Sequence, residues 1–269
     1  MSDTQPEPGA QHGDWRRLLD AWREDVLVAV SSLTLLPVKL SFEVTAELRA
    51  RALRAHPIVG LAIGAAGAVA YAIAKAFGLP PLPAGLLAIG AVVLLSGAVH
   101  ENGLADVTDG FGGGTTVEHK LEIMRDRRAG TMGVIALVLS VMLRAGAIAA
   151  LADPGLVALA LLAAGAVSRG FVPAVLRMLE PVGGDSAAAV GTPTAETTVI
   201  AAAIGAAAAL ICLGLAPGGA AFVAAAGAVI VMAAIAFRQI GGHTGDVLGA
   251  CQQVGEVVML LAAAAHAAA

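Results

Sequence analysis

Residues 57–99 read PIVGLAIGAAGAVAYAIAKAFGLPPLPAGLLAIGAVVLLSGAV: two apolar runs, Pro57–Leu79 and Leu82–Val99, joined only by the Pro80-Pro81 turn. Lys75 is the one charged residue in the stretch, close enough to a helix end to reach water. Each run approaches the roughly 20 residues that carry a helix across a bilayer, and neither shows the period-two alternation of a barrel strand. The stretch therefore predicts a helical hairpin crossing a membrane twice. Downstream the pattern recurs: Met132–Ala152 and Pro154–Val172 flank Asp153-Pro154, Thr197–Ala216 and Gly218–Phe237 flank Pro217, and a last apolar run starts near Val254. The fold class is all-α, a polytopic integral membrane bundle of six to seven transmembrane helices in hairpins.

Composition agrees. The chain of 269 residues is 58% hydrophobic and 13% charged, with a mean hydropathy of +0.84; soluble domains carry roughly 25% charged residues. A net charge of −4 gives no basic field for nucleic acid. Cys212 and Cys251 make neither a disulfide framework nor a thiolate metal site. Residues 1–25 read as a flexible cytoplasmic tail, with Trp15–Arg23 able to start an interfacial amphipathic helix, and 26–269 as one membrane-embedded catalytic domain. Val26–Val38, interrupted by Ser31, Ser32, Thr34 and Pro37, is short for a span and reads as surface-lying or re-entrant. Long polar connections alternate with tight turns near residues 80, 153 and 217. Nearly all Lys and Arg lie in the N-terminal segment or the long connections, which the positive-inside rule assigns to the cytoplasm. Arg144, inside a predicted span, needs a partner, either the acidic site or a structural one.

Between the first and second hairpins lies a polar island, His100–Gly133, HENGLADVTDGFGGGTTVEHKLEIMRDRRAGTMG. On a helix Asn102, Asp106 and Asp109 share one face at i, i+4 and i+7, and Glu101 sits about 100° round from Asn102. Converging carboxylates are hard oxygen donors suited to Mg²⁺. Gly110, Gly112, Gly113 and Gly114 would then break the helix and bring backbone close to phosphate. Thr115 with Glu118 resembles a capping box, opening a helix on which Glu118, Glu122 and Asp126 form a second acidic row beside Arg125, Arg127 and Arg128. Carboxylates for metal and guanidinium groups for phosphate are the parts of a phosphoryl-transfer site. Two segments could join from the same membrane face: Ser168-Arg169-Gly170, with Arg169 for phosphate, and Gly241–Asp246, with His243 as proton acceptor and Asp246 as a further polar group. His100 either caps its helix or touches the site; His119 reads as solvated.

These residues resemble a known family. TLLP (34–37), PIVGLAIG (57–64), HENGLADVTDG (100–110), LEIMRDRRAGTMG (121–133), SRG (168–170) and GGHTGDVLG (241–249), with Glu256, follow the order and spacing of the cobalamin synthases, the adenosylcobinamide-GDP ribazoletransferases of bacteria and archaea. The resemblance covers nearly the whole chain beyond the tail. It implies a multi-pass, Mg²⁺-dependent enzyme of the bacterial cytoplasmic (inner) membrane with its site facing the cytoplasm. The 5′-hydroxyl of α-ribazole, or of its 5′-phosphate, would attack the phosphorus attached to cobinamide and expel GMP. Carried over, Glu101, Asn102, Asp106, Asp109, Glu122 and Asp126 would hold metal. Asp106, Asp109, Asp126 and His243 would act on the reacting groups, and Gly112, Gly113, Arg125, Arg128, Arg169 and Asp246 would bind substrate or phosphate. Asn102 departs from the family, which usually has an acidic residue there. The resemblance leaves room for a homo-oligomer and for association with other corrinoid-assembly enzymes. A CDP-alcohol phosphotransferase is the runner-up, but its continuation after Asp109-Gly110 is missing. A transporter would place polarity near the bilayer midplane.

Overall fold

The computed structural model describes residues 10–126, 128–184 and 191–267. Arg127, Asp185 and the first nine residues of the expected tail lie outside these. The described helices are α1 (Ala10–Leu33), α2 (Ala46–Ala52), α3 (His56–Ala76), α4 (Pro81–Ser96), α5 (Val99–Gly113), α6 (Val117–Arg125), α7 (Thr131–Leu151), α8 (Pro154–Gly170), α9 (Val172–Met178), α10 (Ala195–Leu213), α11 (Leu215–Ile240) and α12 (Gly245–Ala267). A 3₁₀ turn, Leu53–Ala55, joins α2 to α3.

Six of these stretches are long and apolar enough to cross a membrane, seven if α4 and α5 count as one bent span. Their outer surfaces carry large exposed side chains such as Leu94 (75%) and Ile211 (81%), an apolar surface that suits lipid rather than water. The tight turns are built as the sequence suggests. Pro81 and Pro154 sit in the first turns of α4 and α8, where no helical N–H is missed, and the Asp153 carboxylate accepts the Leu156 amide at 2.9 Å. At this turn end the Tyr71 hydroxyl donates to the Ala152 carbonyl at 2.9 Å, and Lys75 donates to the Leu79 carbonyl at 3.1 Å.

The bundle is centred on α8 and α12, whose apolar windows are 72% and 67% buried against 28% for α10 and α11. α8 meets α3 backbone to backbone. A Cβ on Gly60 would overlap the Gly165 carbonyl and one on Gly64 the Leu161 carbonyl, so only glycine permits this approach.

Three expectations change. The run expected as Leu82–Val99 is not straight: Gly97 and Ala98 both adopt left-handed backbone, φ 66° and 55°, and α5 leaves α4 at 93°. The Leu35 amide donates to the Leu95 carbonyl at 2.9 Å and holds the chain after α1 against this bend. Residues 26–33 are the last turns of α1, not a separate surface or re-entrant element, so the boundary expected at residue 25 falls inside a helix. Asp25 there is fully buried, bonded to Arg51 and Arg54 at 2.9 and 2.6 Å. The last span begins at Gly245, nine residues before Val254, because its polar residues are paired inside the bundle rather than left in a loop.

Candidate active site

α5 carries the acidic face from the bend to the polar end of the bundle. Asn102 is exposed and donates its amide to Asp106 Oδ2 at 2.5 Å, so the expected i, i+4 pair is formed. α12 packs on α5 at Gly103, where a Cβ would come within 2.7 Å of the Asp246 carbonyl. The contact brings the half-buried carboxylates of Asp106 and Asp246 close enough to interact as like charges.

Asp109, on the same helix, is already engaged. Its Oδ2 accepts the Gly130 amide at 2.6 Å and its Oδ1 the Gly133 amide at 2.8 Å, so it caps the start of α7 from a distance. Side chains on Gly130 or Gly133 would strike this carboxylate, which explains the glycines of the motif. Gly110, Gly112 and Gly113 do not break the helix: α5 runs through them, and only Gly114 caps it. Their amides are spent inside the helix, and Gly110 instead lets Met124 and Lys120 of α6 pack close. The expected phosphate cradle at Gly112 and Gly113 is therefore absent.

α6 is capped by Thr116, not Thr115, whose hydroxyl accepts the His119 amide at 3.2 Å. It stops at Arg125, so Asp126 lies in extended backbone and does not continue the Glu118/Glu122 row. Asp126 instead pairs with exposed Arg128 at 2.7 Å, and that guanidinium holds its carboxyl below the usual range. Glu122 and His119 are exposed. Arg125 donates to the Gly183 carbonyl at 2.5 Å and, with Thr244, Gly245 and Asp246, lines a cleft of about 130 Å³.

The Gly241–Asp246 segment is fixed by backbone pairing: the His243 amide donates to the Glu180 carbonyl and the Val182 amide to the His243 carbonyl, both at 2.9 Å. The His243 ring is 2% exposed, does not line the cleft, and keeps Nδ1 without a partner. Burial pushes its pKa down, so it is uncharged near neutrality. Buried and outside the cleft, the ring is not placed to receive a substrate proton, and it is the His243 backbone that fixes the loop.

Glu101 and Arg169 are also placed away from the acidic face. Glu101, 6% exposed, turns into the bundle, where Arg144 bonds it at 3.1 Å and Glu256 at 3.0 Å; Arg169 bonds Glu256 at 3.3 Å. Gln252 and Gln253 complete the network with Glu256 and Glu101 at 2.6 and 3.1 Å, and Ser140 and Ser168 bond the two glutamines at 3.0 Å. Two guanidinium and two carboxylate groups cancel, which is how buried charge is tolerated. Arg144 thus joins a structural network. The sequence signal for the glutamines, absent from the expected site, is their spacing before Glu256 on one side of an otherwise apolar run, which marks a buried polar stripe.

Among the described residues no three His, Cys, Asp or Glu side chains converge as a metal site. The oxygen donors nearest one another are Asp106 and the amide of Asn102, in contact on α5, with Asp246 facing Asp106 across the α5–α12 contact. That set fits Mg²⁺, which keeps several waters and takes only one or two protein carboxylates when substrate phosphates supply the rest.

Fold and site together define a multi-pass α-helical membrane protein with an acidic, oxygen-donor site at the polar end of its bundle. The sequence model of the cobalamin-5-phosphate synthase family matches residues 25–264, and the chain belongs to that family. Curated relatives called adenosylcobinamide-GDP ribazoletransferase include one from Bradyrhizobium diazoefficiens, 48% identical over 90% of this chain and 93% of the relative. Another from Mesorhizobium japonicum is 40% identical over 92% and 94%, and one from Azorhizobium caulinodans 44% over 77% and 81%. No solved structure matches the chain.

Proposed function

We propose that this chain transfers the adenosylcobinamide phosphoryl group from adenosylcobinamide-GDP to α-ribazole or its 5′-phosphate, releasing GMP. The observation that carries the reading is the facing of Asp106 on α5 by Asp246, which lines a polar cleft with Arg125, in a chain of this family. Like charges so placed call for a cation. Asn102, Asp106 and Asp246 would hold Mg²⁺, which when bound neutralises charge on the diphosphate. A hydroxyl oxygen of the acceptor forms the new bond to the cobinamide-linked phosphorus as the bond to the GMP oxygen breaks. The hydroxyl proton passes to a carboxylate of the pair. Arg125 lies in the cleft for a phosphate oxygen, and Arg128, in a surface pair of small energetic weight, is free to exchange Asp126 for phosphate. Because the 5′-oxygen of the phosphorylated acceptor is already esterified, the attacking group is a ribose ring hydroxyl in both acceptors, not the expected 5′-hydroxyl, and the two products differ only by the 5′-phosphate. The site faces the cytoplasm of a bacterial inner membrane, following the basic residues.

The test is purified protein in lipid with adenosylcobinamide-GDP, either acceptor and Mg²⁺, following GMP and a corrinoid product. Absence of product under conditions where a curated relative turns over overturns the reading. Asn102→Asp, which replaces an amide donor by a third carboxylate, is expected to lower the Mg²⁺ concentration for half-maximal rate; a higher requirement would show that position 102 does not face the metal.

A further inference from the structure

A second cavity, of about 350 Å³, opens at the polar end between α1, the chain that follows it, and the α2–α3 junction. Its walls are apolar at Val28, Leu40, Val44 and Leu53. The volume lies within the roughly 300–1,000 Å³ of small-molecule pockets.

Its polar edge is left open by the fold. Of three arginines on α2 and the turn after it, Arg51 bonds Glu24 and Asp25, both at 2.9 Å. Arg54 bonds Asp25 at 2.6 Å and stacks over Trp22 at 4.3 Å. Arg49, which lines the cavity, makes no side-chain hydrogen bond or ion pair among the described residues. His56, also in the lining, keeps a buried Nδ1 without a partner, and it lies beside Arg169 and His100. Orphaned buried nitrogens of this kind call for water or ligand. The hydroxyls of Ser31 and Ser32 donate to the Val28 and Ala29 carbonyls at 2.8 and 3.0 Å, which leaves their lone pairs for ligand donors. The chain that closes the cavity is the one tied through Leu35 to the α4–α5 bend, so the pocket and the acidic helix share a support.

We propose that this cavity is the acceptor subsite, taking a ribonucleoside phosphate with an apolar aromatic base. The inference rests on the transferase reading above. The base lies against Val28 and Leu53, ribose hydroxyls donate to Ser31 and Ser32, and the phosphate meets Arg49. A phospholipid headgroup presents the same chemistry, phosphate on an apolar body, and the test separates the two.

Full-length protein in nanodiscs of phosphatidylcholine, with and without phosphatidylglycerol, is titrated with α-ribazole 5′-phosphate and with α-ribazole. Arg49→Gln, at an exposed position, is expected to weaken the phosphate form about tenfold, as for one charge-assisted contact, and to leave the nucleoside unchanged. Val44→Trp, which fills the cavity, is expected to weaken both, while adenosylcobinamide-GDP binds as in the wild type. Wild-type turnover with acceptor affinities unmoved in both variants sinks the subsite and spares the transferase reading. Loss of nucleotide binding when phosphatidylglycerol is added assigns the cavity to lipid and likewise overturns the subsite. No turnover by the wild type overturns both.

Discussion

Asp109→Asn separates two roles that the sequence merged. Both carboxylate oxygens receive backbone amides at the start of α7, Gly130 at 2.6 Å and Gly133 at 2.8 Å. Asparagine keeps one acceptor and turns an NH₂ toward the other amide. The change removes a charge-assisted bond of about 1.5–3 kcal/mol and a favourable charge at a helix N-terminus of about 0.3–1 kcal/mol, so the expected loss is roughly 2–4 kcal/mol. Asp106→Asn is the control: that carboxylate accepts only Asn102 and faces Asp246, so neutralising it relieves repulsion and leaves stability unchanged or slightly higher. Both variants should lose turnover, Asp106 through the metal set and Asp109 through the displaced start of α7. The assay is the unfolding midpoint of each purified protein in the same detergent, read beside GMP release. An Asp109→Asn protein within about 0.5 kcal/mol of wild type, the spread of neutral surface changes, would refute the capping role.

Glu256→Gln should destabilise by about 3–5 kcal/mol, because Arg144 and Arg169 are left with one buried counter-charge. Adding Arg169→Gln restores neutrality and should recover part of the loss; a double variant no more stable than the single would refute charge balance as the cause. His243 gives a pH signature. Its folded form resists the proton, so below about pH 6.5 the unfolded chain binds more protons, and stability present above that value falls as pH falls through it. His243→Asn should flatten the acid-side decline in the unfolding midpoint, and an unchanged slope would show that His243 does not titrate on unfolding.

The spans were legible because bilayer thickness imposes a length and composition on each helix, which local sequence reports without knowledge of neighbours. The i, i+4 face of Asn102 and Asp106 was legible for a similar reason, since helical periodicity alone places it. Tertiary structure decided what partners did with the rest. Glu101 differs from Asn102 by one position, yet the bend at Gly97-Ala98 turns it inward to Arg144 and leaves Asn102 outside. Asp109 shares that helical face, yet its oxygens are taken by the Gly130 and Gly133 amides, a contact spanning more than twenty residues of chain. Asp246 stands opposite Asp106 only because Gly103 lets α12 lie against α5. Sequence determines which groups a helix presents. Which of them meet depends on how closely helix backbones can approach, and that is a property of pairs of helices rather than of any one stretch.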